Sequence, residues 1–343
     1  MNTAEKVGFG VIGTGLFGEN HALVYSRLPE AELVAICDID AERAKAVAEK
    51  YGARTYYTDY QELLSNSDIQ AVSVATPDFA HRDIAVAAAQ AEKHILCEKP
   101  LATSLEEAQE IVNATQEAGV KLMVDYHNRL NPPFVAAKQG VDAGEIGSPS
   151  YGYIRLSNTT FVPMEMLSWG AKSSALWFLC SHTIDMMRFL LNDDVRRVYA
   201  VTRSGILKKL GVDTQDFHVA IGEFQNGTVV TFENTWILPR SHPMVYEFKM
   251  ELLGSEGAVK VNTSHHGAIE KLGDDKIAYT DVFGVTPTSQ RRIGGFVQEA
   301  IAQFVDAVLY DQPVLATGED GLAAVRVASA IERSAETGQP VDL

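Results

Sequence analysis

The stretch VGFGVIGTGLFGENH, residues 7–21, decides how the first half of the chain reads. A β-forming run, Val7–Ile12, passes directly into Gly13-Thr14-Gly15-Leu16-Phe17-Gly18, and helical spacing then continues to Arg27. In such a turn the first glycine permits the tight bend. The second lets the backbone approach a pyrophosphate, and the third lets the helix pack close to the strand. The helix N-terminus adds unpaired N–H groups and the positive end of its dipole. A lone GxGxxG is a weak signal. Here it sits between a strand and a helix, and Asp38 closes the second strand run about twenty residues further on, where an acidic residue accepts from the adenosine ribose hydroxyls. Gly13, Gly15, Leu16, Phe17, Gly18 and Asp38 are therefore expected at a dinucleotide. The Asp38 carboxylate repels a 2′-phosphate, the next residues (Ile39 and Asp40) carry no cation, and Arg43 reads as a helix-surface residue. NAD is expected rather than NADP.

Outward from that turn, β-rich runs at Glu32–Cys37, Ala71–Ala75, His94–Cys97 and Lys121–Val124 alternate with alanine-rich helical stretches at Asp40–Lys50, Ala80–Ala91 and Ser104–Ala118. That alternation predicts βαβ units around a parallel sheet. Asp40 and Ser104 stand where helix N-caps are expected, and Glu107 completes a capping box with Ser104.

The pattern changes after Asn131-Pro132-Pro133. One helix, about Phe134–Ala143, is followed by runs with strand character at Tyr151–Ser157, Val195–Thr202, Phe217–Phe224, Thr228–Thr235, Tyr246–Leu253 and Ala258–Val261. Gln225-Asn226-Gly227 between two of them is a hairpin signal. A helix around Cys180–Leu191 interrupts the runs, and two more, Gly295–Leu309 and Glu319–Thr337, close the chain. The expected architecture is α/β: a doubly wound Rossmann domain over 1–126, then an α+β domain over 127–343 with a large, mostly antiparallel sheet.

With 343 residues, 46% hydrophobic and 22% charged, the chain has the composition of a folded protein of two domains. Its net charge of −16 argues against nucleic-acid partners and against anionic membrane surfaces. No apolar run approaches a membrane span, and the N-terminus lacks the features of a signal peptide. Cys37, Cys97 and Cys180 are far apart and form no CxxC pair, which suits a reducing cytoplasm and indicates neither a disulfide framework nor zinc. His265-His266 lacks metal-ligand companions and reads as a solvated pair. No metal is expected.

Glu98-Lys99-Pro100 follows the fifth strand at its carboxyl end, where open α/β sheets place ligands. A lysine there can donate to a substrate hydroxyl and stabilise the developing alkoxide; the plainer alternative is a solvated surface lysine. His182, with Asp185 three residues later, shares a helix face with that acid; a satisfied core histidine is the competing reading.

Taken together, VIGTGLFGENH, Ala75-Thr76-Pro77 with His81, CEKPLA at 97–102, NRLNPPFVAAKQGVDAGEIGSP, the His182…Asp185 segment and the closing TGEDGLAAVRVASAIERSAETGQPVDL resemble the Gfo/Idh/MocA oxidoreductase family over nearly the whole chain. The resemblance implies hydride transfer between NAD and a secondary alcohol or ketone of a sugar, inositol or related cyclic polyol. It implies Lys99 and His182 as the catalytic pair, a cis peptide before Pro100, and cofactor contacts at Thr76, Pro77, His81, Glu98, Lys99 and Asn128. Arg129, His127, Trp169, Lys172 and Asp185 are candidate substrate contacts, while Asn128, Arg129, His127, Trp169 and Lys172 each read equally well as scaffold. Self-association through the C-terminal sheet, as a dimer or tetramer, is also implied. Many relatives carry an aspartate four residues before the histidine, and here Phe178 stands there. Asp185, the cofactor ribose or water would then have to support His182. Two further activities suit the same pattern: an NAD-assisted glycosidase, and a non-enzymatic sensor of dinucleotide and sugar. A sensor needs neither Lys99 nor His182.

Overall fold

The computed structural model describes residues 6–264, 270–272, 277–279, 284 and 294–343. In the first half β1 (Val7–Ile12), α1 (Leu16–Arg27), β2 (Ala31–Cys37), α2 (Ala41–Tyr51), β3 (Thr55–Tyr57), α3 (Tyr60–Leu64), β4 (Ala71–Val74), α4 (His81–Gln90), β5 (His94–Cys97), α5 (Leu105–Ala118) and β6 (Leu122–Val124) follow one another. The six strands pair in parallel in the order β3-β2-β1-β4-β5-β6, so the order reverses between β1 and β4, as in a doubly wound sheet. Strands buried on both faces carry continuous apolar runs, and β1, β4 and β6 are buried throughout. Helix α2 is capped as expected, Asp40 accepting from the Arg43 N–H; Ser104 does the same for α5 through the Glu107 N–H.

In the second half come α6 (Pro132–Asp142), β7 (Pro149–Thr159), α7 (Ser181–Leu191), β8 (Val195–Arg203), α8 (Ile206–Lys209), β9 (Phe217–Phe224), β10 (Val229–Leu238), β11 (Tyr246–Gly254), β12 (Ala258–Asn262), the hairpin β13 (Glu270–Leu272) with β14 (Ile277–Tyr279), α9 (Phe296–Leu309), α10 (Gly318–Thr337) and β15 (Val341–Asp342). A seven-stranded sheet forms in the order β12-β11-β7-β10-β9-β8-β15. It is antiparallel apart from β7 with β10, which run parallel with Tyr151 opposite Val229. One face is buried through Ile154, Ala220, Phe232 and Met250; the other exposes Tyr151, Tyr199, Ile221 and Leu253.

The chain divides into two compact units. The first is Met1–His127 with Phe283–Leu322, the second Asn128–Val282 with Ala323–Leu343. The first unit thus takes in α9, which the sequence expectation of one crossing at residue 127 leaves in the second domain. Burial explains the assignment: Phe304 of α9 meets Phe9 edge-on at 6.1 Å, and Phe9 stacks on Tyr25 at 4.1 Å. Among the described residues no helix is long and apolar enough to cross a membrane. His265 and His266 lie outside the described residues.

Candidate active site

In the first unit the glycine turn behaves as its sequence requires. Gly13 has φ +89°, and a Cβ there would lie 2.6 Å from the Ala75 carbonyl oxygen; a Cβ on Gly18 would collide with the Gly13 carbonyl. At Gly15, by contrast, a Cβ would meet no atom within 4 Å. The first two constraints come from the protein's own packing. The open side of Gly15, at the uncapped N-terminus of α1, suits a pyrophosphate on the backbone. Leu16 is exposed, and Phe17 stacks near His127 with ring centres 6.1 Å apart and lies 5.9 Å from the Lys99 ammonium.

Asp38 is buried at the end of β2 and accepts from the Thr14 N–H (2.9 Å), the Thr14 hydroxyl (2.7 Å) and the Asp40 N–H (3.0 Å). Arg43 is exposed on α2, as the sequence suggests, and it also pairs with Asp38. Its Nε and Nη2 donate to the two Asp38 oxygens at 3.0 and 2.6 Å, because the first turn of α2 returns residue 43 to the strand end where Asp38 sits. Burial alone would raise the Asp38 pKa, but Arg43 and the Asp40 and Thr14 donors outweigh it and hold the carboxyl below its usual range.

At the ends of β4 and β5, Thr76 and Pro77 are half-buried, and the Lys99-Pro100 peptide is cis. His81, expected at the cofactor, instead joins two turns: its ring nitrogens lie 2.8 Å from the Pro100 carbonyl and 3.0 Å from that of Thr76. With both nitrogens engaged by main chain, it shapes the site without presenting a ring nitrogen to a ligand. Lys99 is buried. That burial lowers its pKa, and the carboxylates of Glu98, Asp78 and Asp125 pull the other way.

A buried brace lies behind this turn that sequence reasoning missed. The His21 ring contacts Glu98 through Nε2 (3.2 Å) and Ser73 through Nδ1 (2.9 Å), and the Tyr25 hydroxyl meets Ser73 at 2.7 Å. Asp125, fully buried, lies 3.9 Å from His21 Nε2 and 3.5 Å from His127 Nδ1. Burial pushes the Glu98 pKa up, but the His21 hydrogen bond and the charges of His21, Lys99 and His127 bring it down to about 2. Ligand atoms of His21, Glu98 and Asp125 fall within 4.8 Å of one another, a spacing compatible with a metal. Nε2 of His21 already meets Glu98 and Nδ1 meets Ser73, so His21 and Glu98 form a hydrogen-bonded support for the lysine turn, with the Asp125 carboxylate close beside it. Gly18, His21, Ala22 and Tyr25 follow helical spacing along the buried side of α1, and a histidine on that apolar side was the available signal.

The second unit holds the remaining candidates. His182 lies in the first turn of α7, buried, with the Asn128 amide donating to Nδ1 at 3.4 Å. Arg129 donates to both oxygens of Asp185, at 3.0 and 2.6 Å, in a buried bidentate pair. Asp185 is thereby committed to Arg129, and Asn128, expected at the cofactor, supplies the hydrogen bond to His182. Phe178 lies on the wide helical turn Leu176–Cys180 that leads into α7, between Trp169 at 6.1 Å and Trp236 at 5.9 Å. Lys172 is exposed on the neighbouring short turn Gly170–Lys172.

A family model described as the oxidoreductase family's NAD-binding Rossmann fold matches residues 7–126, and one described as its C-terminal alpha/beta domain matches 138–343. An inositol 2-dehydrogenase of Rubrobacter xylanophilus is 30% identical over 349 aligned positions, covering 98% of this chain and 93% of that protein. A 1,5-anhydro-D-fructose reductase of Ensifer adhaerens is 29% identical over 343, covering 98% of each. Among solved structures, GenD2 from gentamicin A biosynthesis, in complex with NAD, gives a TM-score of 0.85 at 27% identity, covering 100% of this chain and 98% of that one. With a strand-end lysine, a glycine turn closing on Asp38 and both halves matched in order, the chain belongs to the Gfo/Idh/MocA family of oxidoreductases, built on an NAD-binding Rossmann fold.

Proposed function

We propose that the chain is an NAD-dependent dehydrogenase or reductase acting on a secondary alcohol or ketone of a cyclic polyol or sugar. The first unit would bind the dinucleotide and the second would bind the substrate. The observation that carries this reading is the buried Lys99 at the carboxyl end of β5. A lysine is expensive to bury, and one whose ionisation is shifted by its surroundings at a strand end is a candidate for charge and proton chemistry. The inositol and anhydrofructose relatives support the ring-hydroxyl chemistry. The turn at Gly13, Gly15 and Gly18 and the carboxylate of Asp38 would hold the cofactor.

Bound NAD supplies the hydride acceptor at its nicotinamide. In the oxidative direction His182 takes the hydroxyl proton while Lys99 donates to the same oxygen and stabilises its developing charge. The assignment of these two side chains to one hydroxyl comes from the family resemblance. Asn128 suits either direction. Its amide NH₂ facing Nδ1 leaves the proton of a neutral ring on Nε2, ready for a ketone oxygen. With its oxygen turned to Nδ1–H, Nε2 is left to accept a proton. Trp169 and Phe178 offer apolar surface to a sugar ring, while the Arg129–Asp185 pair fixes the segment carrying Asn128 to α7.

Two properties of the whole chain accompany this reading. The exposed apolar residues on the open face of the seven-stranded sheet favour a homodimer or homotetramer. Three free, buried cysteines suit the reducing cytoplasm.

Turnover of a panel of inositols and sugars with NAD, followed by the absorbance of reduced nicotinamide, tests the reading. Lys99→Ala and His182→Ala are each expected to lose about 10²-fold or more in kcat while NAD still binds. Glycoside cleavage without net NADH would replace the proposal with the redox-assisted hydrolase.

A further inference from the structure

We propose that Asn131 is a positioning residue: through Asn128 it keeps the proton of neutral His182 on Nε2, where the ring presents a donor to a ketone oxygen. This rests on the proposed role of His182 at the reacting oxygen. Asn131 Nδ2 donates to Asn128 Oδ1 at 3.4 Å, and Asn128 Nδ2 faces His182 Nδ1 at 3.4 Å. All three residues are buried. Asn131 is the N-cap residue of α6, where an asparagine side chain ordinarily accepts from a first-turn N–H. Here Pro132 and Pro133 bring no N–H, and the Phe134 and Val135 N–H groups go to the Asn131 carbonyl. The side chain makes no capping bond and is turned to Asn128 instead.

A carboxamide carries its acceptor on one arm and its donors on the other, so each amide in such a row sets the direction of the next. With Asn131 donating, Asn128 offers Oδ1 to it and NH₂ to His182. Nδ1 then accepts, and the proton of the neutral ring sits on Nε2. In the reversed row Asn131 Oδ1 would accept from Asn128, and the Asn131 NH₂ would take the place that Oδ1 now holds. That place is buried, and the atom there has no hydrogen-bond partner among the described residues. A carbonyl oxygen left unmet is better tolerated than an NH₂ with its donors unmet. Taking a hydroxyl proton at Nε2 requires the Asn128 amide to turn, which breaks its bond to Asn131 and sets two NH₂ groups against each other.

The test is ¹⁵N NMR of the full chain labelled with ¹⁵N-histidine, without cofactor or substrate, at about pH 9, where an imidazole is neutral. The His182 signals are identified by their loss in His182→Gln. Wild type is expected to show a bare Nδ1 and a protonated Nε2, with the Nδ1–H tautomer about tenfold or more less populated. Asn131→Asp offers acceptors alone, draws the Asn128 NH₂ to itself and should move the His182 proton to Nδ1. Asn131→Ala removes the donor without adding charge and should raise the share of Nδ1–H severalfold. A merely structural role for Asn131 would change stability and leave the tautomer in place. The inference is overturned if wild-type His182 carries its proton on Nδ1, or if folded Asn131→Asp or Asn131→Ala keeps the wild-type ratio. Where a variant fails to fold, the wild-type tautomer still decides. Because neither NAD nor polyol enters the measurement, a chain without turnover would overturn the proposed function and leave the tautomer result standing.

Discussion

Lys99 and Asp38 illustrate how differently two buried charges in one domain are treated. Asp38 meets five donors, and its carboxylate form is favoured. For Lys99 the largest influence is desolvation, which favours the neutral amine, and Glu98, Asp78 and Asp125 oppose it. A measurable consequence follows if the ammonium form is needed for turnover. The alkaline descending limb of kcat/KM against pH should lie below the ordinary lysine value of 10.5. Since Asp125 raises the Lys99 pKa, Asp125→Asn removes that support and should move the limb to still lower pH. A limb that stays in place or moves upward in this variant would disconnect it from Lys99. Residue identity alone exposes little of this. Gly13, Gly15, Gly18 and Asp38 were legible because their spacing encodes a turn. The Arg43–Asp38 pair, the His81 bridge and the His21–Glu98–Asp125 group were not, because each joins groups from different stretches of the chain.

Legibility also differed between elements. Parallel strands buried on both faces leave unbroken apolar runs, and β1, β2, β4, β5 and β6 were all visible. Thr55–Tyr57 was not, because a three-residue edge strand with no buried residue leaves no such run. In the second sheet, alternation tells which face a residue occupies but not which strand lies beside it, so the parallel pairing of β7 with β10 was invisible. The turn Leu176–Cys180 shows a further limit, since the sequence puts Phe178 where many relatives carry an aspartate, and only the structure shows its ring between Trp169 and Trp236. Phe178→Asp would place a charge between Trp169 and Trp236. Thermal or denaturant unfolding should then show a loss of about 1–3 kcal/mol, with no gain in kcat. An increase in turnover at unchanged stability would mean that position 178 still works best with the acid.

Taken as a whole, the chain presents a sheet with one face covered and the other bearing Tyr151, Tyr199, Ile221 and Leu253 amid the ion pairs of Arg155 with Glu233 and Glu247. Light scattering at micromolar concentration should give a mass that is a multiple of 37.4 kDa, and a clean species at that mass would reject self-association through this face. The most direct test of the enzymatic reading is a single stoichiometric measurement: NADH formed and ring ketone formed, counted together, when wild-type protein, Lys99→Ala and His182→Ala are each given NAD and the best cyclic polyol of the panel. Equal amounts of NADH and ketone from wild type, and loss of both from the two variants at retained NAD affinity, is the expected result. Full activity in either variant, or NAD bound by wild type with no NADH from any polyol and no reverse reduction of any ring ketone, would contradict it.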